Sequence, residues 1–190
     1  MKLQIKYDIN KACKMILQEQ MNRLDIPYEV TGLGEIEINR NVSAETYKEL
    51  QQALDRYGIE IIENPKNAFI QRIKDTIVEM IYNDEKQHNT KVSVYLSDKL
   101  NHSYGYLSSL FSEVTHTSIE NFIILQKIER AKQMIIEDKL TLTEMAWQLN
   151  YSSVAHLSNQ FKKTTGLTPT AFQRIIKKRK SVRFATDEKS

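Results

Sequence analysis

The 190 residues are 41% hydrophobic and 27% charged, which is ordinary for a globular protein and excludes a fully disordered or fibrous chain. No apolar run reaches the length of a membrane span, and the single cysteine, Cys13, excludes an intramolecular disulfide framework. We therefore expect one or two small domains in a reducing, cytoplasmic compartment, with no membrane partner and no cofactor.

The net charge of +3 is unevenly distributed along the chain. Residues 1–65 carry a net −3 and residues 66–149 a net −1, whereas residues 150–190 hold 9 Lys and Arg against 2 Asp and Glu, a net +7. A concentration of positive charge in one segment favours a polyanionic partner there. A solvated basic tail is the alternative.

The first 64 residues are predicted to alternate between strands, with apolar residues at every second position, and helices, with three- and four-residue spacing. The predicted elements are a strand at 2–7, a helix at 9–24, strands at 28–30 and 35–39 around Gly32-Leu33-Gly34, a helix from a Ser43 cap to about Tyr57, and a strand at 59–63. The order β-α-β-β-α-β predicts an α+β ferredoxin-like domain over residues 1–64, used for sensing or assembly.

Beyond Pro65 the pattern becomes helical, and the boundary is placed there because proline disfavours helix at the preceding residue. Residues 69–82 predict a helix and residues 83–91 a loop. Residues 65–180 are predicted to form an all-α domain, and residues 181–190 a disordered tail.

Two short helices joined by a tight turn are predicted between residues 141 and 166. Thr141 or Thr143 can cap the first helix, and Asn150 tolerates the left-handed backbone that would end it. Ser152 or Ser153 can cap the second helix, which Gly166 ends. This pattern is typical of a helix-turn-helix, although a helical hairpin in a bundle core looks similar.

The same pattern occurs earlier in the chain. Residues 100–103 (LNHS) correspond to 149–152 (LNYS) at an offset of 49, and Phe111 and Phe122 correspond to Phe161 and Phe172 at an offset of 50. Residues 119–136 predict a connecting helix. Two recognition helices on one stiff connector could enter successive major grooves, about 34 Å apart.

These motifs resemble the AraC-type (AraC/XylS) bacterial transcription regulators, whose DNA-binding region has two such units and a linking helix. The resemblance covers about residues 68–180. Its strongest part combines Tyr151, Leu157-Ser158, Phe161-Lys162-Lys163, residues 166–169 (GLTP) and Phe172. It implies sequence-specific binding of double-stranded DNA, with RNA polymerase as a further candidate partner.

The resemblance places recognition helices at about Ser103–Thr115 and Ser153–Thr164. The residues that would face base edges are Tyr104, Gly105, Ser108, Ser109, Val154, Ala155, His156, Asn159 and Gln160. The candidates for phosphate contact are Ser103, Ser153, Lys162, Lys163, Arg174, Lys177 and Lys178. No arginine stands at the base-edge positions, so a guanine contact is not expected. Each base-edge candidate could instead be a polar surface residue or a phosphate contact.

The N-terminal order of elements resembles the heavy-metal-associated ferredoxin-like domains, which bind soft metals through two cysteines. Here only Cys13 stands in the corresponding stretch, so no metal site is predicted, and Cys13 fits a small residue near the core. The alternative function is a metal- or redox-responsive protein using Cys13, with the helices as an interaction module. Residues 1–64 could bind a small effector or self-associate. No catalytic constellation is present, so we expect no enzyme.

Overall fold

The computed structural model describes residues 3, 5, 8–32, 34–83, 91–137 and 139–187, without the side chains of residue 83 and residues 180–187. In this part the chain forms nine helices and one two-stranded antiparallel sheet. The elements are α1 (Ile9–Arg23), β1 (Tyr28–Gly32), β2 (Glu35–Ile38), α2 (Ala44–Asp55), α3 (Pro65–Asn83), α4 (Val92–Leu100), α5 (Tyr104–Thr115), α6 (Ile119–Glu137), α7 (Leu142–Gln148), α8 (Val154–Thr165) and α9 (Pro169–Asp187).

The chain divides into two compact parts, Met1–Thr76 and Ile77–Ser190, so the division falls within α3. The sequence-based domain limits, 1–64 and 65–180, stay a prediction. No helix in the described ranges combines the length and apolarity that crossing a membrane requires.

The N-terminal part packs α1 and α2 around a small core. Met21, Ile26, Leu50 and Leu54 are almost completely buried in it. The Ser43 cap predicted from the sequence is present, because the Ser43 hydroxyl accepts a hydrogen bond from the Thr46 amide at 3.1 Å. The two predicted helices of this part are therefore confirmed to within about two residues.

The sheet of this part contains only the hairpin β1–β2, in which Tyr28 pairs with Ile38 and Val30 with Ile36. Gly34 has φ 67°, a left-handed conformation that glycine adopts without steric cost. The middle residue of the predicted turn, Leu33, lies outside the described residues.

The prediction of a complete four-stranded ferredoxin-like sheet is not confirmed. Residues 59–63 are described and form no strand. The side chains of Ile59 and Ile61 nevertheless pack against the N-terminal core. A strand also needs a hydrogen-bonding neighbour, and the amide of Ile59 instead donates to the Leu54 carbonyl at the end of α2. Most of the strand predicted at 2–7 lies outside the described residues.

The C-terminal part contains both predicted helix-turn-helix units. In the first unit α4 precedes α5, in the second α7 precedes α8, and α6 connects them. Buried side chains of α6, α7 and α8, among them Ile128, Met145 and Phe161, form one core. Most of the loop predicted at 83–91 lies outside the described residues. Helix α9 continues to Asp187, past residue 180 where the disordered tail was predicted to begin; residues 188–190 lie outside the described residues.

Candidate nucleic-acid interface

The turns of the two units share a left-handed asparagine and a serine cap. Asn101 and Asn150 have φ values of 55° and 53°, as the sequence predicted for Asn150. Asn101 is the C-cap of α4, whereas Asn150 follows Leu149, the C-cap of α7. The hydroxyls of Ser103 and Ser153 then accept hydrogen bonds from the amides three residues later, at 3.3 and 3.1 Å. Ser103 and Ser153, two of the predicted phosphate candidates, are thus helix caps, and this capping sets the start of α5 and α8.

The ends of α5 and α8 also share the hydrogen bonds of a threonine hydroxyl. The hydroxyls of Thr115 and Thr165 donate to the carbonyls of Phe111 and Phe161 at 2.7 and 2.8 Å. The next residue adopts the left-handed conformation in both units, as histidine in the first and as Gly166 in the second. The repeat in the sequence therefore reflects a repeat in local hydrogen bonding.

The helix after each unit is fastened by one aromatic pair. The rings of Phe111 and Phe122 lie 5.6 Å apart, and those of Phe161 and Phe172 lie 5.7 Å apart. Thr168 caps α9, since its hydroxyl accepts a hydrogen bond from the amide of Ala171 at 3.2 Å. Each pair holds the C-terminal half of a second helix against the element that follows.

Helix α8 has six exposed residues, of which Thr164 lies apart from the others. The other five lie at helical spacing on one face and are Ala155, His156, Asn159, Lys162 and Lys163. Three of them were predicted to face base edges and two to face phosphates. The other predicted residues of α8 are half-buried: Val154 packs against the core, and Gln160 lies at the margin of the face.

The equivalent face of α5 is formed by Gly105, Tyr106, Ser109 and Glu113, all of them exposed. Gly105 and Ser109 were predicted, whereas Ser108 is half-buried. Sequence reasoning missed Tyr106 and Glu113, although the offset of 50 aligns them with His156 and Lys163 and could have indicated them. This face carries no Lys or Arg among its exposed residues.

Tyr104, a predicted base-edge residue, makes a contact within the protein. Its hydroxyl donates to a carboxylate oxygen of Glu120 on α6 at 2.5 Å. The hydrogen bond lowers the pKa of the Glu120 carboxyl, and burial together with this bond raises the pKa of Tyr104. Tyr104 thus ties the start of α5 to the start of α6.

One aromatic pair lies beside each turn, with the residue types exchanged. In the first unit His102 lies in the turn and contacts Tyr106 of α5, with ring centroids 5.0 Å apart. In the second unit Tyr151 lies in the turn and contacts His156 of α8, at 5.1 Å. One nitrogen of His156 is also 3.0 Å from the Ser152 hydroxyl. The turn therefore restricts the side chain that each unit presents at this position.

Tyr151 is also held from the side of α6. The Lys127 ammonium lies 5.2 Å from the centre of the Tyr151 ring, a cation–π distance. Burial lowers the pKa of Lys127 and raises the pKa of Tyr151 to about 12. The turn of the second unit is thereby attached to the connecting helix.

The cations predicted to contact phosphate are exposed along the second unit and α9. They are Lys162, Lys163, Arg174, Lys177 and Lys178. Cys13 is half-buried on α1. Within the described residues no group of three His, Cys, Asp or Glu side chains is placed to hold a metal ion.

Most of the two helix-turn-helix units lies in a region that is similar to known proteins. Residues 96–175 match a family model described as a helix-turn-helix domain. The chain is 24% identical over 136 residues to the Msm operon regulatory protein of Streptococcus mutans, covering 70% of this chain and 46% of that protein. It is 34% identical over 74 residues to an uncharacterized HTH-type transcriptional regulator in the cgkA 5' region of Pseudoalteromonas carrageenovora, covering 39% of this chain and 43% of that protein.

Among solved structures, the C-terminal domain of the two-component response regulator yesN of Fusobacterium nucleatum is 28% identical and covers 58% of this chain and 99% of that one, with a TM-score of 0.46. The chain spans less than half the length of each curated relative it matches. The family model shows a helix-turn-helix domain at residues 96–175, and these matches support the prediction of a DNA-binding transcription regulator.

Proposed function

We propose that the chain binds double-stranded DNA sequence-specifically, with α5 and α8 in successive major grooves. The observation that carries this proposal is the equivalence of the two units, each of which leaves one face of its second helix exposed. The connecting helix α6 has 19 residues, which corresponds to a length of about 28 Å. The proposal requires α5 and α8 to lie about 34 Å apart, the distance between successive major grooves on one side of DNA.

The side chains of α8 support a particular form of readout. Asn159 and Gln160 carry amides that can pair with adenine through two hydrogen bonds, and the methyl group of Ala155 can contact a thymine methyl. The cations of α8 and α9 suit phosphate contacts, which give affinity and salt dependence but no sequence preference. We therefore expect an operator half-site with A·T pairs under α8.

The first experiment is a selection from random duplexes with the full chain at moderate salt. We expect one sequence family to be enriched, and no enrichment would contradict the proposal. The double variant Asn159→Ala with Gln160→Ala should then lose roughly 30-fold or more in affinity, since each two-bond contact is worth about 1–3 kcal/mol. The matched control, Asn10→Ala with Gln52→Ala, changes two exposed amides of α1 and α2 and should bind like the wild type.

Other features stay predictions from the sequence. They are contact with RNA polymerase, a role of residues 1–64 in effector binding or self-association, and a cytoplasmic location. The DNA selection tests none of them. Hydrogen exchange of residues 8–83 with and without candidate effectors would test whether the N-terminal residues bind an effector.

A further inference from the structure

Three of the five glycines have a conformational reason within the fold. Gly34, Gly58 and Gly166 have φ values of 67°, 70° and 80°, where other residues are strained. At Gly32 an added Cβ would lie 3.2 Å from a carboxylate oxygen of Glu35, a tight contact with the end of a flexible side chain. At Gly105 the φ angle is not positive and an added Cβ would meet no atom within 4 Å.

Gly105 is the second residue of α5, and glycine has a low helix propensity. The equivalent position in α8 is Ala155, so the same local structure accepts a side chain in the second unit. Nothing in the described part of the protein therefore requires glycine at position 105.

We infer that Gly105 is the point where DNA approaches the backbone of α5 too closely for a side chain to fit. Gly105 lies on the exposed face of α5, at the position equivalent to Ala155 on the exposed face of α8. The neighbouring residue, Tyr106, is 49% exposed. Recognition helices present their N-terminal residues to the base edges, and Gly105 lies in the first turn of α5. Glycine is the residue that allows a close backbone approach to a ligand.

The inference rests on the proposed DNA binding and adds a difference between the two units. At Ala155 a methyl group is accommodated at the DNA surface, whereas at Gly105 only hydrogen is. The backbone of α5 would therefore lie closer to DNA at this point than the backbone of α8 does. Small side chains at position 105 would obstruct binding without disturbing the fold.

The test uses the full chain and the duplex most enriched in the selection described above. Gly105→Ala should raise the melting temperature or leave it unchanged, because alanine favours the helix and an added Cβ meets no atom within 4 Å. It should also weaken binding at least about fivefold, the effect of forcing a methyl group into a packed contact. Gly105→Gln, with a longer side chain that also favours helix, should weaken binding further.

Two controls separate stability from binding. Ala155→Gly makes the reverse change at the equivalent position, and should lower the melting temperature while weakening binding less than Gly105→Ala does. Gln52→Gly destabilises α2, in the N-terminal part, and should leave the affinity unchanged.

The outcomes distinguish this inference from the proposed function. If the wild type binds its enriched duplex and Gly105→Ala binds equally tightly, the inference is wrong and the proposed function stands. If Gly105→Ala lowers the melting temperature, glycine has a structural role and the inference is also wrong. If no duplex is enriched, the proposed function is wrong and the inference fails with it.

Discussion

The two helix-turn-helix units share a framework and differ on their surface. Their caps, left-handed turn residues and aromatic pairs correspond, with paired hydrogen-bond lengths that agree within 0.2 Å. Their exposed faces do not correspond, because α8 carries Lys162 and Lys163 where α5 carries serine and Glu113. The N-cap of α7 is a full capping box, whereas Lys91 at the N-cap of α4 makes no side-chain cap hydrogen bond among the described residues.

This difference shows which residues a repeated unit must keep. Buried and capping residues satisfy local packing and hydrogen bonds, so a change there costs stability in either unit. Exposed residues are free to differ, and here the difference concentrates positive charge on the second unit. We therefore expect the second unit to supply most of the affinity, and the first to contribute less or to tolerate more sequences.

The largest expected effect comes from removing a buried aromatic side chain from either unit. Phe111 and Phe161 are completely buried at equivalent positions. Changing either to Ala should reduce the free energy of unfolding by about 3–5 kcal/mol, through lost burial and the cavity left behind. Denaturant titration of both variants should give costs within about 1 kcal/mol of each other. A much smaller cost for Phe111→Ala would show that the first unit is packed more loosely than its geometry indicates.

The next effect concerns the charge difference. Removing Lys162 and Lys163 together should lower DNA affinity and reduce the slope of log K against log salt by about 2, since each phosphate contact contributes about one unit. The complementary change, Glu113→Lys on α5, should raise affinity and steepen the slope. An unchanged slope in the lysine double variant would mean that these cations do not contact phosphates.

The next effect concerns the N-caps of α7 and α4, and each change there should alter the free energy of unfolding by about 1 kcal/mol. Thr141→Ala removes the hydroxyl that accepts from the Glu144 amide at 3.2 Å and should cost about 1 kcal/mol in unfolding free energy. Lys91→Ser would supply the missing cap of α4 and should stabilise the chain by about 0.5–1 kcal/mol. Thermal denaturation measures both, and a neutral Thr141→Ala would contradict the importance of the capping box.

The capping box also predicts a pH dependence. Hydrogen bonds from the Thr141 backbone and hydroxyl lower the pKa of Glu144 in the folded state. The stabilisation should be present above the ordinary glutamate pKa of 4.5 and be lost as pH falls through the lower folded value. The difference in melting temperature between wild type and Glu144→Gln should therefore shrink on acidification. A constant difference would show that the carboxylate charge is not involved.

The smallest expected effect concerns the tie between α5 and α6, which has no counterpart in the second unit because position 154 is valine. Tyr104→Phe should cost about 0.5–1 kcal/mol, since the hydrogen bond is largely solvent-exposed. It should also raise the pKa of Glu120 toward its ordinary value, measurable by NMR titration of the side-chain carboxyl. An unchanged pKa would mean that the tie is not formed in solution.

Sequence and structure agree best where the determining interactions are local. The caps at Ser43, Ser153 and Thr168 and the left-handed turn at Asn150 were predictable, because a cap or turn involves residues only two to four positions apart. The repeat at offsets of 49 and 50 was likewise visible in the sequence, since the same local interactions require the same residue types.

Only the tertiary structure decided the interactions between distant residues. The alternation at 59–63 predicted a strand, but pairing as a strand depends on a neighbour that periodicity cannot supply. The contact of Tyr104 with Glu120, and that of Lys127 with Tyr151, likewise join separate helices and turns. The sequence by itself therefore determined two helix-turn-helix frameworks and their unequal charge. Folding decided which of their side chains remain on the surface, because burial depends on residues brought together from different parts of the chain.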